Sequence, residues 1–255
     1  MKYERIAKEA RRKVLEMIHK AGTSHIGSNF SSIDILAVLF ELMDIKKDEF
    51  IASKGWIAAS VYYFLAEKGV IPKKDLERFC MPGEEEYIGL IEPRGKFGLR
   101  FAGGSMCLGL AAGVGYALSK KLRGEPGQVY VLESDGGMNG GPTWEALAIA
   151  AQHKLGNLTL IVDSNKLQAM GSTEGILDME PLVKKILSFN WECGRVDGHN
   201  YGALENTLRI RSTMPRAVVA DTIKGKGVSF MEGQNLYHYA HVSAEDYKEA
   251  LKEIG

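Results

Sequence analysis

The sequence lacks an excess of charge of either sign, since its 32 lysines and arginines balance 32 aspartates and glutamates over 255 residues. This balance removes the usual argument for nucleic acid or an anionic membrane as a partner. Apolar runs long enough to span a membrane are also lacking, and the N-terminus has no apolar signal core. We therefore predict a cytoplasmic protein that binds neither nucleic acid nor a membrane.

Cysteine is scarce as well. The three cysteines, Cys80, Cys107 and Cys193, are odd in number and form no CxxC pair. This argues against a disulfide framework or a structural zinc site and favours reduced thiols. Internal repeats and low-complexity linkers are lacking too, so we predict a single domain over residues 1–255 with a sizeable core.

What the sequence contains is an alternation of helical and strand-like segments. Buried strands are predicted over residues 129–132, 158–162 and 217–221, and helices over residues 3–20, 31–43, 57–68, 107–120, 143–153, 180–188, 202–210 and from Ser243 onward. The alternation predicts an α/β fold with a mainly parallel sheet and helices on both faces. Residues 71–104, rich in proline, glycine and charge, predict a long irregular segment of the kind that is often functional.

Polar residues follow two of the predicted strands. Asp135 and Gly136 come after the first, and Asn165 after the second. Adjacent parallel strands would bring the two side chains to one sheet edge, where ligands of such sheets bind. Carboxylate and amide oxygens suit Mg²⁺ or Ca²⁺. Taken alone, however, both positions are more typical of ordinary turns.

Several blocks of residues, in order along the chain, add weight to the metal interpretation. They are Ser24–Gly27, Ser53–Gly55, Gly104-Ser105-Met106, Ser134-Asp135-Gly136, Trp144-Glu145-Ala146, Val162–Gln168, Asp197-Gly198-His199 and Thr222–Phe230. Together they resemble the motifs of transketolases over nearly the whole chain. Ordered blocks of this kind are far more specific than any one of them.

The resemblance implies the fold of the thiamine-diphosphate-binding domain, with thiamine diphosphate and Mg²⁺ (or Ca²⁺) as cofactors. It implies that Asp135, Asn165 and the backbone of Leu167 bind the metal. The residues it places at the cofactor are Trp56, Gly104, Ser105, Met106, Ser134, Asp135, Gly136 and Asn165. It implies catalytic roles for His25 and His238, whereas we expect His199 to be structural.

The resemblance also implies a second polypeptide. In transketolases, the glutamate that activates the cofactor belongs to a pyrimidine-binding domain that follows the domain resembled here. We expect that domain and its catalytic Glu on a partner chain, in a heterotetramer with the cofactor held between subunits.

Some positions depart from the transketolase pattern. Trp56 stands where the family has a histidine, and Cys107 stands where the cofactor loop has a glycine. Two acidic positions after the metal aspartate are Gly137 and Gly140, which predicts a flexible loop. The replacement of family histidines, of which the one at Trp56 is an example, suggests an unusual sugar or keto substrate.

The functional hypothesis is transfer of a two-carbon ketol or acyl unit to an aldehyde acceptor. One alternative is a decarboxylating enzyme that uses a 2-oxo acid. Another is a non-catalytic protein that binds the cofactor or serves as a scaffold. A nicotinamide-binding protein is disfavoured, because the glycine-rich segment 109–115 follows no convincing strand and lacks the GxGxxG spacing.

Overall fold

The computed structural model describes residues 2–104 and 106–255. Within them, five strands form one entirely parallel sheet in the order β1-β2-β3-β5-β4. The strands are β1 (Glu49–Ala52), β2 (Val129–Ser134), β3 (Leu158–Ser164), β4 (Glu192–Asp197) and β5 (Arg216–Asp221). Because β2 and β3 are parallel neighbours in this order, their carboxyl ends lie side by side.

Helices cover both faces of the sheet. They are α1 (Lys2–Ala21), α2 (Ile26–Leu42), α3 (Ala58–Glu67), α4 (Gly109–Arg123), α5 (Gly141–Gln152), α6 (Thr173–Leu177), α7 (Leu182–Ser188), α8 (Tyr201–Arg209) and α9 (Ala244–Ile254). One apolar core packs α1, α2, α3, α8 and α9 on one face, and a second packs α4, α5 and α7 on the other. The predicted α/β fold with a parallel sheet is confirmed.

The helix α2 is the central element of the first core. It is buried from Ile26 to Phe40, because α1, α3 and α8 pack around it. Each fully buried Ile or Leu of this helix contributes roughly 1.5–3 kcal/mol to folding. Its serines 31 and 32 face the carboxyl end of the sheet, where they serve the site described below.

Several elements differ in extent from the sequence predictions. The second helix begins at Ile26 and not at Ser31 or Ser32, because both serine hydroxyls bind the Asp163 carboxylate in place of capping a helix. Strands β1 and β4 were not predicted, since β1 has four residues and β4 is a partly exposed edge strand. At the last helix, Ser243 Oγ accepts a hydrogen bond from Asp246 N at 3.0 Å, as the capping pattern predicts.

The segment 71–104 is irregular, with short 3-10 turns at Lys73–Arg78 and Gly95–Phe97. No helix among the described residues is long and apolar enough to cross a bilayer.

Candidate active site

The carboxyl ends of β2 and β3 bring Asp135 and Asn165 together. Each of the two polar residues directly follows the last residue of its strand, and the strands are hydrogen-bonded to each other up to that point. Asp135 N donates to Asp163 O at 3.2 Å, and Lys166 N donates to Asp135 Oδ2 at 2.6 Å. The turn after β3 therefore closes over the carboxylate that follows β2.

The oxygens at this edge fit a hard divalent cation. Gly136 N donates to Asp135 Oδ1 at 2.8 Å, and Leu167 N donates to Asn165 Oδ1 at 3.1 Å, which orients both side chains. Each of these oxygens has lone-pair capacity left for a metal. No cluster of three His, Cys, Asp or Glu residues is found in the described part of the chain. A site of one carboxylate, one amide and one carbonyl is the kind that Mg²⁺ completes with phosphate oxygens and water.

Asp135 is a buried carboxylate, and the hydrogen bonds it accepts from the described residues come from backbone N–H groups. Burial raises the pKa of its carboxyl to about 6, and the neighbouring negative charge of Asp163 adds to the rise. A divalent cation bound to Asp135 would favour the ionised form and reverse this penalty. The free-energy cost of ionising Asp135 in the folded chain is consistent with a cation at the site, because a bound cation would remove that cost.

Asp163, one residue before the end of β3, is fully buried and has its own partners. Its carboxylate accepts hydrogen bonds from Lys54 Nζ, Thr222 Oγ1 and the hydroxyls of Ser31 at 2.7 Å and Ser32 at 2.9 Å. Burial by itself would raise the pKa of Asp163, but the charge and hydrogen bond of Lys54 outweigh it and lower the pKa. Asp163 thus stays ionised and ties α2, β3 and the chain after β5 together beneath Asp135.

A buried lysine that the sequence analysis did not single out completes the site. Lys224 is 1% exposed, and its Nζ donates to Leu167 O at 3.3 Å and Gln168 O at 3.4 Å. Burial lowers its pKa to about 8, and the charge of Lys54 contributes, so the ammonium stays charged at neutral pH. It supplies a positive charge where the loop after Asn165 meets the C-terminal segment.

The placement of Lys224 depends on a close approach between two segments. Gly225 N donates to Gly27 O at 3.0 Å, and a Cβ at Gly27 would lie 3.1 Å from Lys224 Cγ and 3.2 Å from Tyr237 O. A side chain at Gly27 would therefore fit only if these neighbours moved by a few tenths of an ångström. The sequence has no local signal for the burial of Lys224, because Lys226 stands in the same Lys-Gly pattern and is only partly buried.

The two histidines predicted to be catalytic lie next to each other. Their ring centroids are 5.0 Å apart, and His238 Nδ1 lies 2.7 Å from Lys224 Nζ. Burial lowers the pKa of His25 to about 4 and that of His238 to about 3, and the charge of Lys224 contributes to both. Both rings are therefore neutral at physiological pH. Since Lys224 donates to Nδ1 of His238, the remaining proton of that ring is on Nε2.

Trp56 covers one face of this pair. Its indole is stacked on His25 with centroids 4.6 Å apart and an angle of 8° between the planes, and it remains 44% exposed. Tyr239 contacts both histidines from another side and is also exposed. The two histidines are thus bordered by the aromatic side chains of Trp56 and Tyr239, both of which are exposed to solvent.

The other residues predicted to contact the cofactor are placed around the same edge. Gly136 packs against Gln168, and Ser134 Oγ accepts a hydrogen bond from Gly137 N at 3.0 Å. Gly104 packs tightly against Leu90. Ser105 lies outside the described residues. Met106 is half exposed, in the segment that leads into α4.

A cavity of about 330 Å³ opens on the other side of Asp135. Its walls come from the ends of β3 and β4 and from the segment 172–182, with Lys166 and Arg195 among the same lining residues as Asp178 and Glu180. Asp135 and Glu174 bring the lining carboxylates to four, against the two cationic side chains, so this excess of negative charge disfavours an anion in the cavity.

His199 has both ring nitrogens engaged. Nδ1 lies 2.6 Å from Asp34 Oδ2, and Nε2 accepts a hydrogen bond from Ile223 N at 2.9 Å. Asp34 also pairs with Arg11 and accepts from Tyr201. These contacts join α1, α2 and the start of α8, which agrees with a structural role for His199.

Known proteins similar to this chain identify its family. The sequence matches the family described as transketolase, thiamine diphosphate binding domain, over residues 2–255. A relative from Phocaeicola vulgatus, named as one subunit of an apulose-4-phosphate transketolase, is 32% identical over 96% of this chain and 90% of its own length. A 6-deoxy-6-sulfo-D-fructose transketolase subunit from a Clostridium species is 34% identical over 96% of this chain and 93% of its own.

Solved structures agree with these relatives. The transketolase of Campylobacter jejuni superposes with a TM-score of 0.90 at 25% identity, and the match covers 100% of this chain and 43% of that chain. The expected transketolase resemblance and the expected cofactor, thiamine diphosphate, are therefore confirmed. The chain belongs to the transketolase family and matches its thiamine-diphosphate-binding domain.

Proposed function

We propose that residues 1–255 act as one cofactor-diphosphate-binding domain, the N-terminal subunit of a transketolase-like enzyme that transfers a two-carbon ketol or acyl unit to an aldehyde. Relatives that match over nine tenths of both chains are themselves named as transketolase subunits. The observation that carries the proposal is the pair Asp135 and Asn165 at adjacent strand ends, where the Asp135 carboxylate is buried and both side chains have oxygens able to bind a cation.

Asp135, Asn165 and the Leu167 carbonyl would hold Mg²⁺, and Lys224 would add a positive charge beside them. Bound thiamine diphosphate supplies the carbanion chemistry that breaks and forms the carbon–carbon bond. The role of this chain is to grip the diphosphate end and to orient the substrate. A partner subunit with the pyrimidine-binding domain and its catalytic Glu would complete the site, and a heterotetramer is the assembly we propose.

His238 would work as a hydrogen-bond donor. Its ring is neutral, and the contact with Lys224 leaves the Nε2 proton free to bind a substrate carbonyl or hydroxyl. His25, with Nδ1 2.7 Å from Ser24 Oγ, is held against Trp56 and would orient a substrate hydroxyl in the same manner. Because the pKa of each ring lies well below 7, neither histidine carries the proton that a general acid would donate at neutral pH.

Trp56 favours a non-standard substrate. The indole gives one N–H donor and a broad apolar face where the family has an imidazole. The relatives are named for apulose 4-phosphate and for a sulfonated deoxy sugar, so unusual sugars fit this part of the family. A sugar or keto compound with an apolar face against Trp56 is the substrate that we propose. The cysteines of the described residues are free thiols, which supports the cytoplasm as the location that we propose.

A cofactor titration tests this proposal. The chain, together with the subunit that co-purifies with it, is titrated with thiamine diphosphate and Mg²⁺ while the melting temperature is followed. We expect a rise with wild type and with the control Asp178→Ala, an exposed carboxylate of the neighbouring cavity. We expect none with Asp135→Ala, whose fold is checked by circular dichroism. If neither cofactor raises the wild-type melting temperature, the scaffolding alternative is favoured.

A further inference from the structure

Two glycines follow Asp135 at the positions where the transketolase pattern has acidic residues, Gly137 and Gly140. The backbone requires glycine at neither position. Gly140 has φ −84° and ψ 135°, which any residue adopts, and Gly137 is not among the glycines with positive φ. Some other feature of the structure therefore excludes a side chain at each.

Neighbouring side chains fill the space that the two glycines leave. A Cβ at Gly137 would overlap the carboxylate of Glu133 and lie 2.9 Å from its Cγ. A Cβ at Gly140 would overlap Cys107 Sγ. Each lost acidic side chain is thus matched by a side chain that enters the same volume from another element, and for Gly137 the incoming group is again a carboxylate.

The Glu133 carboxylate holds three segments together. It is 0% exposed and accepts hydrogen bonds from Ser53 Oγ, from Ser134 N at 2.9 Å and from the backbone N–H of Cys107. Ser53 Oγ in turn accepts from Gly109 N at 3.1 Å, at the start of α4. Glu133 therefore links the strand that precedes Asp135 to the cofactor loop, defined here as the described residues Met106 and Cys107.

Cys107 is strained and is held in place by these contacts. Its φ is 65°, the left-handed region, where the transketolase pattern has a glycine. This conformation is unfavourable for a residue that has a Cβ, because the Cβ approaches the following carbonyl oxygen. The hydrogen bond from Cys107 N to Glu133 and the packing of Sγ against Gly140 offset that cost. The loop conformation thus depends on both neighbours.

We propose that Glu133 is a positioning residue for the cofactor: its carboxylate replaces the one lost at position 137 and fixes the cofactor loop relative to Asp135. At the second position, the side chain of Cys107 fills the volume that an acidic side chain at position 140 would occupy. This inference rests on the proposed function, because the loop it positions is the one that would contact the cofactor.

The proposal is tested by removing the carboxylate at position 133 and introducing one at position 137. The variants are Glu133→Ala, Glu133→Ala with Gly137→Glu, and Glu133→Ala with Gly137→Gln, each prepared with the co-purifying subunit. Glu133→Ala frees the space beside Gly137 and removes the acceptor for a buried backbone N–H, so we expect hydrogen exchange in the cofactor-free loop to become about tenfold faster. We expect the dissociation constant for thiamine diphosphate with Mg²⁺ to rise by about the same factor. Gly137→Glu should restore both, and Gly137→Gln should restore neither fully.

The neutral control separates charge from space filling. If Glu133→Ala leaves loop exchange and cofactor affinity unchanged, or if Gly137→Gln restores both as well as Gly137→Glu, the inference is overturned. Should Glu133→Ala fail to fold, the single variant Glu133→Gln, which keeps the size of the side chain and removes its charge, is measured in its place, and unchanged loop exchange and cofactor affinity in that variant overturn the inference. A wild-type protein that binds no thiamine diphosphate would refute the proposed function, whereas the exchange measurement would still decide the role of Glu133.

Discussion

Replacing Asp135 by Asn should make the cofactor-free protein more stable while it removes a ligand of the proposed cation site. The pKa of Asp135 rises from its ordinary value of 3.8 to about 6 in the folded chain, mainly through burial. Since a tenfold change in an acid constant equals about 1.4 kcal/mol, the ionised carboxylate destabilises the fold by about 3 kcal/mol at neutral pH. Asn removes that penalty.

The substitution also has a cost. The carboxylate accepts hydrogen bonds from Gly136 N and Lys166 N on different oxygens, and an amide has one acceptor oxygen. Losing one of these bonds costs about 1–2 kcal/mol, so we expect a net gain of about 1–2 kcal/mol in the free energy of unfolding near pH 7.

The stability of the wild type should also depend on pH in a defined direction. Because the folded pKa is raised, the wild type should gain stability as the pH falls from about 6 to about 4, where both states become protonated. The Asp135→Asn variant should lack this gain in stability at low pH. Urea unfolding of the cofactor-free protein at about pH 7.5 and about pH 4.5, with Asp178→Asn as control, measures it. A variant that is less stable than wild type by the same amount at both pH values would refute the reasoning.

Three further predictions follow from contacts around the site. Trp56→His should raise activity with a common ketose phosphate in a coupled assay, and no change would make Trp56 a packing residue. Lys224→Met should raise the pKa of His238 in an NMR titration, though burial, the larger cause, should keep it below 6.5; an unchanged value would contradict the contact. Burial would raise the pKa of Asp34, but hydrogen bonding to His199 and the charge of Arg11 lower it to about 2. The stability from this ion pair should be full above about pH 4 and lost towards pH 2, with Asp34→Asn showing a flatter acid transition.

The placement of Asp135 and Asn165 at one edge of the sheet could be predicted from sequence, because β2 and β3 are largely apolar runs that end sharply in polar residues. Their parallel pairing followed from the alternation with helices, and it brought Asp135 and Asn165 to one edge. The second helix was predicted to start too late, because Ser31 and Ser32 resemble caps but face the buried Asp163. A hydroxyl that binds a carboxylate more than a hundred residues away leaves no local signal.

The role of Lys224 could not be predicted for a related reason. Its ammonium is 57 residues from Leu167 in sequence and reaches it because the C-terminal segment packs on Gly27. The proposed replacement of an acidic residue at position 137 by Glu133 could not be predicted either. The sequence shows that position 137 is a glycine, but it does not show that the Glu133 carboxylate occupies the same volume. The flexible loop predicted from Gly137 and Gly140 is instead packed against Glu133 and Cys107.

The most direct test of the cation site is a crystal structure of the protein with its co-purifying subunit, thiamine diphosphate and Ca²⁺. We predict one cation within about 2.3–2.6 Å of Asp135, of Asn165 Oδ1 and of the Leu167 carbonyl. A cation bound elsewhere, or a diphosphate held without any contact to Asp135 and Asn165, would contradict it.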